Sequence, residues 1–250
     1  MKMPEEPRVA DDSAAFLVTV ESMRQYLEHE REEGVTSVEA DHEEVKRLPD
    51  MPSPVTAGVN LTLERIAADA ATCVKCTLHR TRTRVVPGQG SPKPEIMFVG
   101  EAPGFDEDQQ GLAFVGRAGQ LLTKMIEAMG FRREDVFIAN IIKCRPPENR
   151  KPMPDEMAAC MPFLLSQISI LRPRVIVALG ATAVKGLLDV ETGITRLRGT
   201  WMVFEGIPTM PTFHPAYLLR NPPAKKDAWA DLQQVLKQIG RTPPPRSTRG

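Results

Sequence analysis

Ile96-Met-Phe-Val-Gly100-Glu-Ala-Pro-Gly104 is a short apolar run that breaks into a glycine-rich turn carrying one carboxylate. Four apolar residues closed by Gly and Pro read as a fully buried strand, because a helix of that length would be too short to stand alone. Working outward, three more runs of the same kind follow: Val136–Ile141, Val175–Gly180 and Pro208–Phe213. Between and after them lie helical patterns at Ala118–Met129, Pro154–Leu171, Ala181–Leu188 and Ala224–Ile239. Strands alternating with helices of this length make an α/β fold with a parallel sheet covered by helices. Trp201–Phe204 and Ile207–Met210, joined by Glu205-Gly206, are expected to pair as a hairpin feeding the last strand.

The 250 residues support one substantial core with extensions at its ends. Residues 1–60 read as an acidic, Pro-punctuated extension with one amphipathic helix, Ala14–Glu32, whose stripe is Phe16, Val20, Met23 and Leu27. It is either a solvated appendage or the docking helix of a protein partner. A second helix from Leu61 leads into Cys73, residues 61–240 form the main domain, and Arg241–Gly250 is expected to be disordered, having nothing to bury. The net charge of zero is deceptive. Residues 1–50 hold 14 acidic and 6 basic side chains, leaving 18 acidic and 26 basic in the remainder. That body is basic enough to suit a polyanionic partner. Apolar runs are far shorter than a membrane span needs, and the acidic N-terminus is unlike a secretory leader, so a cytoplasmic protein without a membrane role is expected.

In open parallel sheets ligands bind beyond the carboxyl ends of the strands. Those ends here are Glu101 within its glycine-rich turn, Asn140, Gly180 and His214-Pro215, so a carboxylate, an amide and an imidazole arrive at one rim. Gly116-Arg117-Ala118-Gly119 precedes a helix, where free N–H groups would suit a phosphate. No GxxxxGK[ST] loop occurs, which argues against a nucleotide triphosphatase. Four cysteines, Cys73, Cys76, Cys144 and Cys160, give C-x2-C and C-x15-C pairs separated by 67 residues. In a cytosolic chain this favours a metal site over disulfides, and the spacing alone admits tetrahedral zinc or an iron–sulfur cluster.

Three separated stretches then resemble one family: Gly100–Asp108 with Phe114–Leu122, Asn140–Arg150 and His214–Pro222, in that order and with the four cysteines in place. They are similar to family 4 uracil-DNA glycosylases over about residues 61–240. The resemblance implies a three-layer α/β/α sandwich around a four-stranded parallel sheet, a monomer acting on uracil-containing DNA, and a structural [4Fe–4S] cluster on Cys73, Cys76, Cys144 and Cys160. It further implies that Glu101 polarises the attacking water and His214 stabilises the departing base. Phe114 would stack on uracil and Asn140 would read its edge, with Gly100, Ala102 and Glu107 completing the base site. Arg117 and Arg220 would contact DNA, and Leu218 would wedge into the stack as the base leaves.

The chemistry agrees with those roles. Glycosidic cleavage develops positive charge on the sugar and negative charge on uracil, so a carboxylate near the sugar and a cation or donor near O2 are both useful. The Asn140 amide offers an acceptor and a donor side by side, matching uracil N3–H and O4 and opposing cytosine. Two departures stand out. Ala102 replaces the aspartate of the best-known uracil-DNA glycosylases, and Phe105 replaces what is often an acidic residue in this family. The stretch between Cys144 and Cys160 lacks histidine, so turnover is expected in place of the covalent trapping of certain relatives. No lysine stands at the strand ends, with Lys143 the nearest exception, so a monofunctional enzyme using water is expected. The rival readings are a redox protein whose cluster is itself functional and a non-catalytic DNA-binding module.

Overall fold

The computed structural model describes residues 61–244, so the expected helix at Ala14–Glu32 lies outside the described residues. Strands β2 (Ile96–Gly100), β3 (Phe137–Asn140), β4 (Val175–Leu179) and β6 (Ile207–Thr212) run parallel in the order β3-β2-β4-β6. This is the expected four-stranded parallel sheet, but it is the centre of a larger one. β5 (Met202–Phe204) is the anticipated hairpin arm, antiparallel to β6. β1 (Gln89–Gly90), antiparallel to β3, makes the opposite edge. Two residues are too few to show a pattern in sequence. Their pairing needs Gly90, where φ is 138° and a Cβ would lie 1.9 Å from the Val136 carbonyl oxygen.

Because strand side chains alternate, the buried run of β2 serves two cores. Ile96 and Phe98 join Leu122 and Ile126 of helix α3 (Arg117–Ala128) and Leu232 and Val235 of α8 (Lys225–Gln238). Met97 and Val99 join Leu164 and Ile168 of α4 (Pro154–Leu171) and Val184 and Leu187 of α5 (Ala181–Leu188). Every residue of β2, β3 and β4 is buried, which is why these strands read as unbroken apolar runs. Each fully buried Ile, Leu or Phe contributes about 1.5–3 kcal/mol of transfer free energy. Helices on both faces of one sheet give the expected three layers.

The carboxyl-terminal expectation needs correction at its first residue. Arg241 is held to the domain: its guanidinium pairs with Glu95 and lies 4.7 Å from the Phe131 ring centroid, and its N–H donates to the Leu236 carbonyl at 2.8 Å. Residues 245–250 lie outside the described residues.

Candidate active site

Gly100 and Asn140 are directly opposite each other in the β2–β3 register, so the two strands end level. Beyond them opens a cleft of ≈ 480 Å³ lined by Glu101, Ala102, Phe114, Asn140, His214 and Arg220 among others. Residues more than a hundred positions apart therefore meet because parallel strands deliver their exits to the same rim.

Asn140 is 1% exposed, and its Oδ1 is the one buried side-chain polar atom among the described residues without a hydrogen-bond partner. An unmet acceptor of this kind costs about 1–3 kcal/mol, so its retention points to a ligand. Gly100 makes room for it: a Cβ there would lie 2.5 Å from both Asn140 Oδ1 and Phe114 Cζ. Phe114 is held in left-handed backbone at φ 53°, with its ring centroid 5.6 Å from that of His214. Gly180, at φ 89°, is likewise needed because a Cβ would approach His214 Cβ to 2.9 Å.

His214 caps helix α7 (Pro215–Arg220), its Nδ1 accepting the Ala216 N–H at 3.1 Å. Burial, aided by the charge of Arg220, pushes the imidazole pKa down to about 4. The ring is therefore neutral near pH 7, with Nδ1 occupied as an acceptor and Nε2–H as the donor. The sequence left a cation or a donor open at this position, and the lowered pKa favours the neutral ring.

Glu107 has a structural job beside its place at the cleft. Although it borders the cleft, its carboxylate accepts the N–H groups of Gly104 at 3.2 Å, Val115 at 2.8 Å and Gly116 at 2.9 Å. It rivets the first strand exit to the start of α3 at the edge of the cleft. The same bonds correct the phosphate expectation, since Glu107 occupies the Gly116 N–H and brings negative charge there. Arg117 is exposed at the first residue of α3 and does not line the cleft.

A family model for the uracil DNA glycosylase superfamily matches residues 87–233. A type-4 uracil-DNA glycosylase of Thermotoga maritima is 52% identical over 163 residues, covering 64% of this chain and 84% of the relative. Those of Sulfurisphaera tokodaii and Archaeoglobus fulgidus are 45% and 42% identical over 191 residues, each alignment covering 73% of this chain and 86% and 96% of the relatives. The chain belongs to the uracil-DNA glycosylase superfamily, type 4.

One expected DNA contact of this glycosylase is overturned. Leu218 is 1% exposed and packs with Phe213 and Ala228 against Leu121 and Met125, so it is a core residue and not a wedge. Its neighbour Leu219 faces outward at 36% exposure, beside Arg220, which is exposed at the cleft. Tyr217, missed in the sequence reading, also lines the cleft and stacks 4.9 Å from the Phe213 ring.

The four cysteines of the glycosylase line one small cavity on the α4 side. Cys144 and Cys160 are buried, while Cys73 and Cys76 are partly exposed. They surround the cavity without meeting at a point: among the described residues no group of three or more His, Cys, Asp or Glu closes as ligands of a single ion would. Two donors already address the sulfurs, with Arg82 Nη1 3.2 Å from Cys144 Sγ and the Lys143 N–H 3.2 Å from Cys160 Sγ. N–H groups aimed at sulfur suit thiolates carrying a metal cluster. The segment from Cys144 to Cys160 also supplies the cleft residues Pro146, Asn149 and Arg150. Arg150 pairs with the buried Glu156, which receives the Met153 N–H at 2.8 Å and the Thr77 hydroxyl at 3.4 Å.

Proposed function

We propose that this uracil-DNA glycosylase works through the cleft at the strand ends, hydrolysing the bond between uracil N1 and the deoxyribose C1′ of an extruded nucleotide. The observation that carries this reading is the orphaned, buried Oδ1 of Asn140. It accepts from uracil N3–H while the amide Nδ2 donates to O4, and the Phe114 ring supplies stacking worth about 1–3 kcal/mol. Gly100 and Ala102 leave the space the base occupies. Glu101 orients water toward C1′. As the bond breaks its electron pair moves onto uracil and His214 Nε2–H donates to the charge building on O2, while the water oxygen bonds C1′ and the proton it loses ends on the uracil anion.

Lys143 supports a monofunctional course, because its Nζ is buried against the Asn140 carbonyl and Gln167 and is absent from the cleft lining. The products are free uracil and an abasic site, the first step in base excision repair of deaminated cytosine. Leu219, in place of Leu218, is the side chain that fills the vacated stack, with Arg220 and Arg117 on the backbone. Glu107 acts by holding the base site's loops together.

Cys73, Cys76, Cys144 and Cys160 hold a [4Fe–4S] cluster, supported by four thiols around a cavity and N–H donors on two of them. When bound it supplies a covalent cross-link between segments distant in sequence. We assign the enzyme to the cytoplasm as a monomer, with the glycosylase domain ending near residue 240. Incubation with an oligonucleotide bearing one uracil tests the activity. Free uracil and a strand that breaks only after alkali are expected; direct strand cleavage or borohydride trapping would overturn the monofunctional reading.

A further inference from the structure

At one lip of the cleft, beyond Gly104 and Asn149, stands an aromatic side chain for which base reading has no use. Phe105, the first residue of helix α2 (Phe105–Gln110), is 57% exposed. Its ring nevertheless has a cationic partner. The Arg145 guanidinium lies 5.2 Å from its centroid, and Arg145 Nε donates to Asn149 Oδ1 at 2.7 Å. Asn149 lines the cleft and, with Glu148, holds left-handed backbone at φ 55°. Two such residues in succession are strained, so this turn persists because its surroundings hold it. Ring, guanidinium and amide thus form a ledge continuous with the cleft mouth.

The substrate that reaches this mouth is a DNA strand. Turning the uridine outward leaves its neighbours with an unstacked face. An exposed aromatic ring beside an arginine meets that need without regard to sequence, because every base has a π face and the guanidinium keeps N–H donors for a phosphate. We propose that Phe105 and Arg145 form a stacking subsite for the base of a nucleotide adjoining the extruded uridine on the same strand. This rests on the cleft being the uracil pocket.

The test uses the full chain and single-stranded oligonucleotides with one uracil, in which each of the two nucleotides on either side is replaced in turn by an abasic spacer. For the wild type, a spacer at one position should raise KM about tenfold with kcat little changed. Phe105→Ala should raise KM about tenfold on the intact strand and be indifferent to the spacer at that position. Phe105→Tyr should restore the wild-type pattern, and Phe105→Leu, which keeps apolar bulk, should not. An equal loss for Phe105→Ala on every substrate, or no loss on any, overturns the subsite. Asn140→Asp run in parallel separates the two readings: if it abolishes excision while Phe105→Ala is silent, the subsite falls and the pocket stands. If both are silent, the cleft is not the uracil pocket.

Discussion

The ε-amino group of Lys143 donates to the backbone carbonyl of Asn140 at 2.9 Å from the far side of the cleft wall, and to Gln167 Oε1 at 2.7 Å. Gln167 passes the contact on, its Nε2 donating to the Pro87 carbonyl at 2.7 Å. A chain of buried and half-buried polar bonds therefore fixes the strand end that carries the Asn140 amide. Lys143→Met keeps the bulk and leaves two buried acceptors unmet, at about 1–3 kcal/mol each. The thermal midpoint should fall by several degrees and kcat should drop in the molecules that remain folded. A midpoint within one degree of wild type, with unchanged kcat, would show the bridge to be dispensable.

Asn140→Asp preserves size but sets a carboxylate oxygen against uracil O4. Uracil excision should fall about 100-fold or more, with cysteine-site iron content and DNA affinity retained. Cytosine, with an amino donor at the same place, should fit better and be released at a detectable rate. Wild-type uracil release by this variant would remove Asn140 from the base site.

The neutral donor at His214 sets a pH signature. Its folded pKa is depressed to about 4, so Nε2–H is unchanged as pH falls through the ordinary histidine range. The log of kcat/KM should show no His214 inflection near 6.5 and should bend only toward about 4. The unfolded chain takes up a proton on this residue at its ordinary value, so its contribution to stability is complete above 6.5 and is lost as pH falls toward about 4. In His214→Gln that share of acid sensitivity should disappear from the unfolding curve, while excision slows.

The adjacent leucines separate stability from DNA handling. Leu218→Ala empties a core position and should destabilise by about 2–5 kcal/mol. Leu219→Ala should leave the midpoint nearly unchanged and slow excision from duplex more than from single strands, where no stack has to be filled. The reverse pattern would restore Leu218 as the wedge.

Purified without oxygen, the protein should contain about four irons per chain. Cys73→Ser or Cys144→Ser should then reduce soluble yield more than kcat per folded molecule, since the ligands join segments far apart in sequence. Stoichiometric zinc without iron would rule the cluster out.

The strand ends were legible because apolar runs of strand length alternate with helices, and parallel strands must deliver Glu101, Asn140 and His214 to one side. Leu218 was not legible, since a six-residue helix carries too little periodicity to choose between neighbouring leucines. Leu121 and Ala228, from elsewhere in the chain, make that choice together with Phe213 just before the helix. The bonds of Glu107 to Val115 and Gly116 arise from a loop folding back, which no local pattern announces. Arg241 looked like tail because its partner Glu95 is 146 residues away.

Phe114 holds its ring over the cleft on a left-handed backbone, with Gly119 packed so near that a Cβ there would lie 1.8 Å from the Phe114 carbonyl oxygen. Glycine or asparagine would relieve the backbone strain of about 1–3 kcal/mol but would empty a buried ring site worth about 3–5 kcal/mol. The side chain that bends this turn is also what anchors it, since Phe114 is 6% exposed and belongs to the core that contains Phe98 and Leu122. A laboratory lineage hardened by heat alone should therefore keep an aromatic ring at this position.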